Sequence, residues 1–248
     1  MSTAAFFDVD ETLIGLKSMF DFLAFHLEEN GLPGAAERHT SGLRELAAAG
    51  APREEVNRAY YRLYRGARAE ELAARGRRWF ARRSAERGFF LEATVFALYR
   101  HRAAGHRVVL LSGSFSPCLD PIADALEATA VYGTRTLTED GVLTGEVERP
   151  MIGEAKGDAV REYTERHGIA AAGAYAYGDH LSDLPMLEAV GHPNVRADGD
   201  TRLTELALRR GWPLLRDPGP GGHGPDCVCG CALADWAAQA PTTTGAHR

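Results

Sequence analysis

Close to its start the chain has a short apolar segment that leads directly into two aspartates, Asp8 and Asp10 (AAFFDVDETL, residues 4–13). Four small or apolar residues in a row are typical of a short buried strand. Buried carboxylates are costly unless a cation or hydrogen-bond donors meet them, and alternation along a strand lets both side chains project from one side of its carboxyl end. Open α/β sheets bind ligands at that edge, although an Asp-x-Asp pair also occurs in turns and helix caps.

Strand-like and helix-like segments alternate along most of the rest of the chain. A block of predicted helices follows the first strand, and no strand-like run returns before about residue 107. This order indicates an α/β fold with a mostly parallel sheet, helices on both faces and an inserted helical block. The predicted helices span residues 16–30, 35–49, 52–65, 68–86, 89–104, 117–128, 155–167, 183–189 and 201–210, and the later strands are HRVVLLSGS, AVYG, a hairpin over 134–148, AYAYGD and HPNVRAD.

The bulk composition is that of an ordinary globular protein, with 248 residues, 45% of them hydrophobic and 25% charged. The net charge of -6 gives no case for nucleic-acid binding, and no apolar stretch approaches the length of a membrane span. The first residues lack the basic segment of a secretory signal. We therefore expect a cytoplasmic protein with neither nucleic-acid nor membrane partners.

The last residues, 217–248, are rich in Pro and Gly and have little apolar periodicity, so they predict a flexible C-terminal tail. A short segment of this tail contains one histidine and three cysteines, which are side chains that can ligate metals. Their C-x-C spacing differs from the C-x2-C spacing of structural zinc sites. Metal binding and a plain tail both stay open for this group, which consists of His223, Cys227, Cys229 and Cys231.

Three further polar positions follow predicted strands. Ser112 comes after VVLL, Lys156 opens the helix after the hairpin, and Asp179 comes after AYAY, with Asp183 four residues on. Each alone has an ordinary explanation as a helix cap, a surface lysine or a turn residue. Because the carboxyl ends of parallel strands meet at one edge of a sheet, together they predict a functional site there.

The segments DVDETL, Ser112, Lys156 and GDHLSD, in this order and at this spacing, resemble the four motifs of the haloacid dehalogenase-like (HAD) phosphohydrolase superfamily. The likeness extends over residues 4 to about 212. The helical block resembles the C1 cap of the phosphoserine-phosphatase-like branch, subfamily IB. The resemblance implies a Rossmann-like three-layer parallel-sheet core built from residues 1–15 and 90–216, with a helical cap domain at residues 16–89.

The resemblance also implies the chemistry of the site. Asp8 would attack phosphorus and form an aspartyl phosphate, which splits hydrolysis into two easier steps. Asp10 would protonate the leaving alkoxide and then deprotonate the attacking water. A haloacid substrate needs no such acid, so Asp10 favours phosphate esters. The implied cofactor is Mg²⁺, bound by the Asp8 carboxylate, the Asp10 backbone carbonyl and Asp179.

The remaining motif residues have supporting roles in the resemblance. Ser112 and the Gly113 amide would bind phosphoryl oxygens, and Lys156 would balance the charge of Asp8 and the phosphate. We expect Thr12 to hydrogen-bond Asp10, and Asp183 to support the metal site or hold one of its waters. Ser182 stands where phosphoserine phosphatases usually carry Asn, and it can still donate one hydrogen bond.

Two departures from the branch concern charge. Glu11 replaces a small residue, and we expect its side chain to point away from the site. Lys17 stands where phosphoserine phosphatases place a Glu that receives the substrate ammonium. A lysine there repels an ammonium and attracts a carboxylate or second phosphate, so we predict that phosphoserine is not the preferred substrate. The alternative is that Lys17 is a solvated helix residue.

Residues 53–90 contain eleven Arg and five Glu, which is a basic excess in an acidic chain. This excess is typical of a solvated helical face, although it could also attract anionic substrates or dock another protein. The whole sequence predicts a Mg²⁺-dependent phosphomonoesterase that acts on a small, phosphorylated, anionic metabolite. The alternatives are phosphotransfer to an acceptor other than water, and a non-catalytic domain that binds a phosphorylated ligand.

Overall fold

The computed structural model describes residues 2–217, and a six-stranded parallel sheet forms the centre of this region. The strand order across the sheet is β3-β2-β1-β6-β7-β8, and β4 pairs with β5 in a separate antiparallel ribbon. The strands are β1 (Ala4–Phe7), β2 (Arg107–Leu111), β3 (Ala130–Tyr132), β4 (Thr136–Glu139), β5 (Val142–Val147), β6 (Tyr175–Gly178), β7 (His192–Arg196) and β8 (Leu214–Leu215).

Helices cover both faces of the sheet, which confirms the predicted three-layer α/β fold. Strand β1 has apolar side chains on both faces of the sheet, since Ala5 and Phe7 belong to one buried apolar cluster and Ala4 and Phe6 belong to the other. A strand buried on both faces reads as a continuous apolar run. The helices are α1 (Ser18–Glu29), α2 (Ala35–Ala48), α3 (Arg53–Arg62), α4 (Ala69–Arg83), α5 (Glu92–Ala103), α6 (Ser116–Ala125), α7 (Glu154–Arg166), α8 (Leu184–Glu188) and α9 (Thr201–Arg210).

Helices α1 to α4 lie between β1 and α5, and we call residues 16–89 the helical insert. The chain enters and leaves the insert at one place. The Gly15 amide donates to the Phe89 carbonyl at 2.8 Å, and the Leu91 amide donates to the Leu13 carbonyl at 2.9 Å. These two linkers therefore form a short paired joint next to the end of β1.

Aromatic side chains of the insert pack against α6 and the residue that precedes it. Tyr61, Tyr64 and Trp79 are buried, and both tyrosine rings contact Phe115 at the start of α6. Helix α4 approaches α6 so closely that a Cβ at Gly76 would lie 1.8 Å from the Pro117 carbonyl oxygen. A glycine is thus required where these two helices meet.

The structure adds one strand that the sequence did not predict, the two-residue β8 at the edge of the sheet. Two residues are too few to show an alternating pattern. Within residues 2–217, no helix is long and apolar enough to cross a membrane. The domain limits at 15/16 and 89/90 stay predictions, and the histidine and cysteines of the predicted tail lie outside the described residues.

Candidate active site

The carboxyl ends of three neighbouring strands bring most of the predicted polar residues together. Asp8 follows β1, Ser112 follows β2 and Asp179 follows β6, and all three side chains are buried. Together with Asp10 and Lys156 they line one cavity of about 440 Å³. The edge of the sheet predicted from the sequence is therefore the edge at which these residues meet.

A tight turn after β1 aims the two aspartates into the cavity. The Leu13 amide donates to the Val9 carbonyl at 2.8 Å, and Glu11 at the tip adopts a φ of 61°. This left-handed conformation is unusual for a residue with a side chain. The Asp8 amide donates to the Tyr177 carbonyl of β6 at 2.9 Å, which anchors the start of the turn to the sheet.

Lys156 is the buried cation of the site. Its Nζ lies 2.5 Å from Asp8 Oδ1 and 2.6 Å from Asp183 Oδ1. Burial acts to lower the pKa of Lys156, but the two carboxylates outweigh burial and raise it above its usual value. The other oxygen of Asp183 accepts the amides of Asp179 and His180, both at 3.2 Å. Asp183 thereby holds both the lysine and the loop after β6.

The carboxylates at the floor of the cavity form a group that suits a divalent cation. Oxygens of Asp8, Asp179 and Asp183 lie within 4.8 Å of one another. Burial raises the pKa of Asp8 to about 6, an effect that Lys156 partly opposes. Burial, with repulsion from Asp8 and Asp183, raises the pKa of Asp179 to about 9. Since one lysine faces three carboxylates, a hard cation such as Mg²⁺ fits this oxygen donor set.

Asp10 has the properties of a group that exchanges protons near neutral pH. Burial raises its pKa to about 7, while hydrogen bonds from Ser18 act in the opposite direction. Its Oδ1 is buried and has no hydrogen-bond partner among residues 2–217. A carboxyl with a pKa close to 7 can serve as an acid in one step and as a base in the next.

Thr12 does not make the predicted hydrogen bond to Asp10. Its Oγ1 donates instead to Asp179 Oδ1, at 2.9 Å. The turn after β1 directs the buried hydroxyl of Thr12 across to the end of β6. The hydroxyl therefore acts on a predicted metal ligand, where it lowers the pKa of the Asp179 carboxyl against the effect of burial.

Ser112 and Gly113 form the segment after β2 that faces the cavity. Ser112 Oγ accepts the Ser114 amide at 3.1 Å, so the hydroxyl proton of Ser112 is left to donate elsewhere. A Cβ at Gly113 would lie 3.0 Å from the Ile152 side chain, so a larger residue at this position would crowd Ile152. Ser182, in the loop between β6 and α8, also lines the cavity, and its Oγ lies 3.1 Å from His180 Nδ1.

A model of the family described as haloacid dehalogenase-like hydrolase matches residues 5–188, which include this cavity floor. The chain belongs to that family. A Streptomyces azureus protein named "Inhibition of morphological differentiation protein" is 32% identical over 225 residues, which cover 86% of this chain and 78% of that protein. A Mycobacterium tuberculosis protein named phosphoserine phosphatase is 30% identical over 229 residues, covering 86% and 70%.

A second Mycobacterium tuberculosis relative, named "Probable phosphatase", is 45% identical over 115 residues. The match covers 46% of this chain and 40% of that protein, so the chain spans about two fifths of the relative's length. Among solved structures, a Bordetella pertussis protein of unknown function has a TM-score of 0.76 at 28% identity, covering 87% of this chain and 99% of that one.

The structure of a phospho-aspartyl intermediate analogue of phosphoserine phosphatase has a TM-score of 0.62 at 20% identity and covers 87% of this chain and 95% of that chain. At this identity the likeness concerns the fold. Together with the named relatives, it places the chain in the phosphoserine-phosphatase-like branch of the family.

The helical insert supplies two of the cations that line the cavity, and Arg202 of α9 supplies another. Lys17 lines the cavity, and its Nζ pairs with Glu11 Oε2 at 3.2 Å. Glu11 was expected to point away from the site, and this prediction is wrong because the left-handed turn brings the side chain to the cavity. Arg53, the first residue of α3, also lines the cavity, and its Nη1 lies 3.0 Å from His180 Nε2.

Sequence reasoning did not single out Arg53, which was one of eleven arginines in its region. Several of the others pair with acids of the same insert. Arg75 and Arg78 contact Glu29, and Arg83 binds Asp21. These pairs favour the ordinary explanation of the basic excess. The position of Arg53 at the start of the helix that meets the cavity was the one signal that could have distinguished it.

Proposed function

We propose that the protein is a Mg²⁺-dependent phosphomonoesterase that hydrolyses a small phosphorylated metabolite through an aspartyl phosphate. The observation that carries the proposal is the pair of carboxyls after β1, of which Asp8 is buried and Asp10 is half-buried with one buried oxygen. Asp8 is held by Lys156 at 2.5 Å, and Asp10 beside it has a pKa of about 7 and an unpartnered oxygen within the described part of the chain. A site that binds without reacting has no need of the second carboxyl.

In the first step an Asp8 oxygen attacks phosphorus, and the bond between phosphorus and the ester oxygen breaks. Asp10 gives its proton to that oxygen, so the product leaves as an alcohol rather than as an alkoxide. In the second step Asp10 takes a proton from water as the water oxygen attacks phosphorus. The bond to Asp8 breaks, which releases inorganic phosphate and restores both carboxyls.

The other side chains hold the phosphoryl group and balance its charge. The Ser112 hydroxyl and the Gly113 amide are the donors that we assign to phosphoryl oxygens, and Lys156 compensates the charge of Asp8. Asp8, Asp179 and the Asp10 backbone carbonyl would hold Mg²⁺. When bound, Mg²⁺ neutralises charge between the attacking carboxylate and the phosphoryl oxygens.

The walls of the cavity indicate what kind of ester fits. The insert, which we propose acts as a cap, contributes Lys17 and Arg53 together with apolar side chains such as Met19 and Val56. Two cations above a phosphate site favour a substrate with a second anionic group and disfavour an ammonium. We therefore propose a small anionic phosphomonoester, in contrast to the phosphoserine that the names of several relatives suggest.

Turnover of p-nitrophenyl phosphate with and without Mg²⁺ tests the proposal. We expect no turnover from Asp8→Asn and a loss of about 10²- to 10⁴-fold from Asp10→Asn, because general acid–base catalysis contributes that much. Asp158→Asn changes an acid outside the cavity and serves as the matched control.

Full activity of Asp8→Asn would contradict the proposal, because that variant lacks the proposed nucleophile. Binding of inorganic phosphate without turnover would favour the non-catalytic domain. Transfer of phosphate to added alcohols in preference to water would favour a phosphotransferase.

A further inference from the structure

The proposed phosphate-binding segment is held in place by the helical insert. The Gly113 carbonyl oxygen accepts three hydrogen bonds, from Asn57 Nδ2 at 3.0 Å, from the Tyr61 hydroxyl at 2.8 Å and from Thr134 Oγ1 at 2.8 Å. Asn57 and Tyr61 belong to α3 of the insert, and Thr134 follows β3. A carbonyl oxygen has two lone pairs, so this acceptor is fully used.

The same peptide group also contacts Ser112. Its nitrogen is the Ser114 amide, which donates to Ser112 Oγ at 3.1 Å. A peptide group is planar, so donors that fix the Gly113 oxygen also fix the direction of the N–H on the opposite side. That N–H occupies an acceptor site of Ser112 Oγ and so limits where the hydroxyl proton of Ser112 can point.

We infer that Tyr61 and Asn57 are positioning residues, which orient the Gly113–Ser114 peptide and through it the Ser112 hydroxyl that receives the phosphoryl group. The inference rests on the proposed function of this segment. Both side chains are at least nine-tenths buried, with exposed fractions of 0% for Tyr61 and 5% for Asn57. Fixed donors of this kind lower the cost of arranging a site at the moment of binding.

Tyr61 can be tested without removing its ring, which packs against Phe115 and Tyr60. Tyr64 provides a matched control in the same cluster. Its ring also packs against Phe115, but its hydroxyl lies 2.8 Å from the Tyr60 hydroxyl and makes no hydrogen bond with the segment after β2 in the described chain. Tyr61→Phe and Tyr64→Phe therefore each delete one buried hydroxyl, and only the first deletes a bond to Gly113.

The experiment measures binding of inorganic phosphate by titration calorimetry in the presence of Mg²⁺, together with the melting temperature. We expect Tyr61→Phe to weaken phosphate binding by roughly five- to tenfold, the loss corresponding to one hydrogen bond. We expect Tyr64→Phe to bind phosphate as the unchanged protein does, with a similar fall in melting temperature. In turnover assays we expect Tyr61→Phe to raise KM and to weaken inhibition by phosphate.

A second pair of variants keeps the test decisive if Tyr61→Phe does not fold. Thr134→Val removes the third donor to Gly113 together with the acceptor of the Met151 amide, and Thr134→Ser retains both. Phosphate affinity should fall in the first variant and recover in the second. Equal phosphate affinity in Tyr61→Phe and Tyr64→Phe, or in Thr134→Val and Thr134→Ser, would overturn the inference. Phosphate binding without turnover in the unchanged protein would count against the proposed function and leave this inference standing.

Discussion

Thr12 shows how one buried hydroxyl acts on a carboxylate that lies far away in the sequence. The hydroxyl donates to Asp179 Oδ1 at 2.9 Å and opposes the burial that raises the pKa of this carboxyl to about 9. We expect Thr12→Val to weaken activation by Mg²⁺ by about tenfold or more, as is usual when a group behind a metal ligand is lost. Titration of activity with Mg²⁺ measures this, and Thr12→Ser should behave as the unchanged protein. Identical Mg²⁺ requirements for the two variants would contradict the assignment.

Lys17 is the residue that we expect to select for a second negative charge. The phosphate ester of 3-hydroxypropanoate and propyl phosphate differ by one carboxylate, so the ratio of their kcat/KM values isolates its effect. We expect the unchanged protein to favour the carboxylate ester, and Lys17→Met to reduce that preference by about threefold to tenfold, since Glu11 already screens the lysine at 3.2 Å.

Arg135→Met, which removes an exposed cation from outside the cavity, should leave the preference unchanged. A clear preference of the unchanged protein for phosphoserine over both esters would show that the argument from charge is wrong.

Among individual residues, the sequence predicted those that follow strands and missed those whose partners depend on packing. Asp8, Ser112 and Asp179 meet because parallel strands end at one edge, and that rule can be applied to a sequence. The bond of Thr12 to Asp179 and the pairing of Glu11 with Lys17 depend on how one turn is folded. The ring of Tyr61 packs in the core, whereas its hydroxyl donates to the segment after β2, and no sequence pattern indicates that second contact.

Among the elements, the contact between α4 and α6 depends most on a single residue. A Cβ on Gly76 would lie 1.8 Å from the Pro117 carbonyl oxygen, whereas a Cβ on Gly42 of α2 meets nothing within 4 Å. We expect Gly76→Ala to destabilise the protein by about 1–3 kcal/mol, the usual cost of overpacking. Gly42→Ala should be neutral or stabilise by up to about 1 kcal/mol, because alanine favours helices. Urea denaturation measures the free energy of unfolding of both variants. Equal values would contradict the close approach of α4 to α6.

The sequence predicted the central strands and the hairpin because continuous or alternating apolar runs mark them clearly. It did not predict β8, which has two residues, or the order of strands across the sheet. It indicated that four helices follow β1, but not that α3 contacts the segment after β2. Such contacts depend on how helices dock in three dimensions, and helical periodicity carries no information about that.

For the whole molecule, His101 predicts how stability depends on pH. Burial, with smaller contributions from His106 and Arg100, lowers the pKa of His101 to about 4. The unfolded chain binds a proton near the usual value of 6.5, so unfolding takes up a proton between the two values. The stabilising contribution is complete above about pH 6.5 and is lost as the pH falls towards 4.

We expect His101→Gln to reduce the acid-induced fall in melting temperature over this interval. His39→Gln, at an exposed position, should retain the fall shown by the unchanged protein. Parallel pH curves for the unchanged protein and His101→Gln would contradict the assignment. His26, whose pKa burial also lowers to about 4, acts in the same direction, so part of the fall should remain in His101→Gln.

The paired joint between residues 13–15 and 88–91 has a consequence for how such a chain can diverge. The chain leaves the sheet and returns to it at neighbouring backbone atoms. With respect to strand order, the helical insert is therefore equivalent to one long loop between β1 and α5. Evolution or a protein engineer can exchange that loop for another without reordering a strand, and under the proposed function the exchange changes the side chains that face the ester. The exchange has one condition, because the replacement insert must again provide hydrogen-bond donors to the Gly113 carbonyl.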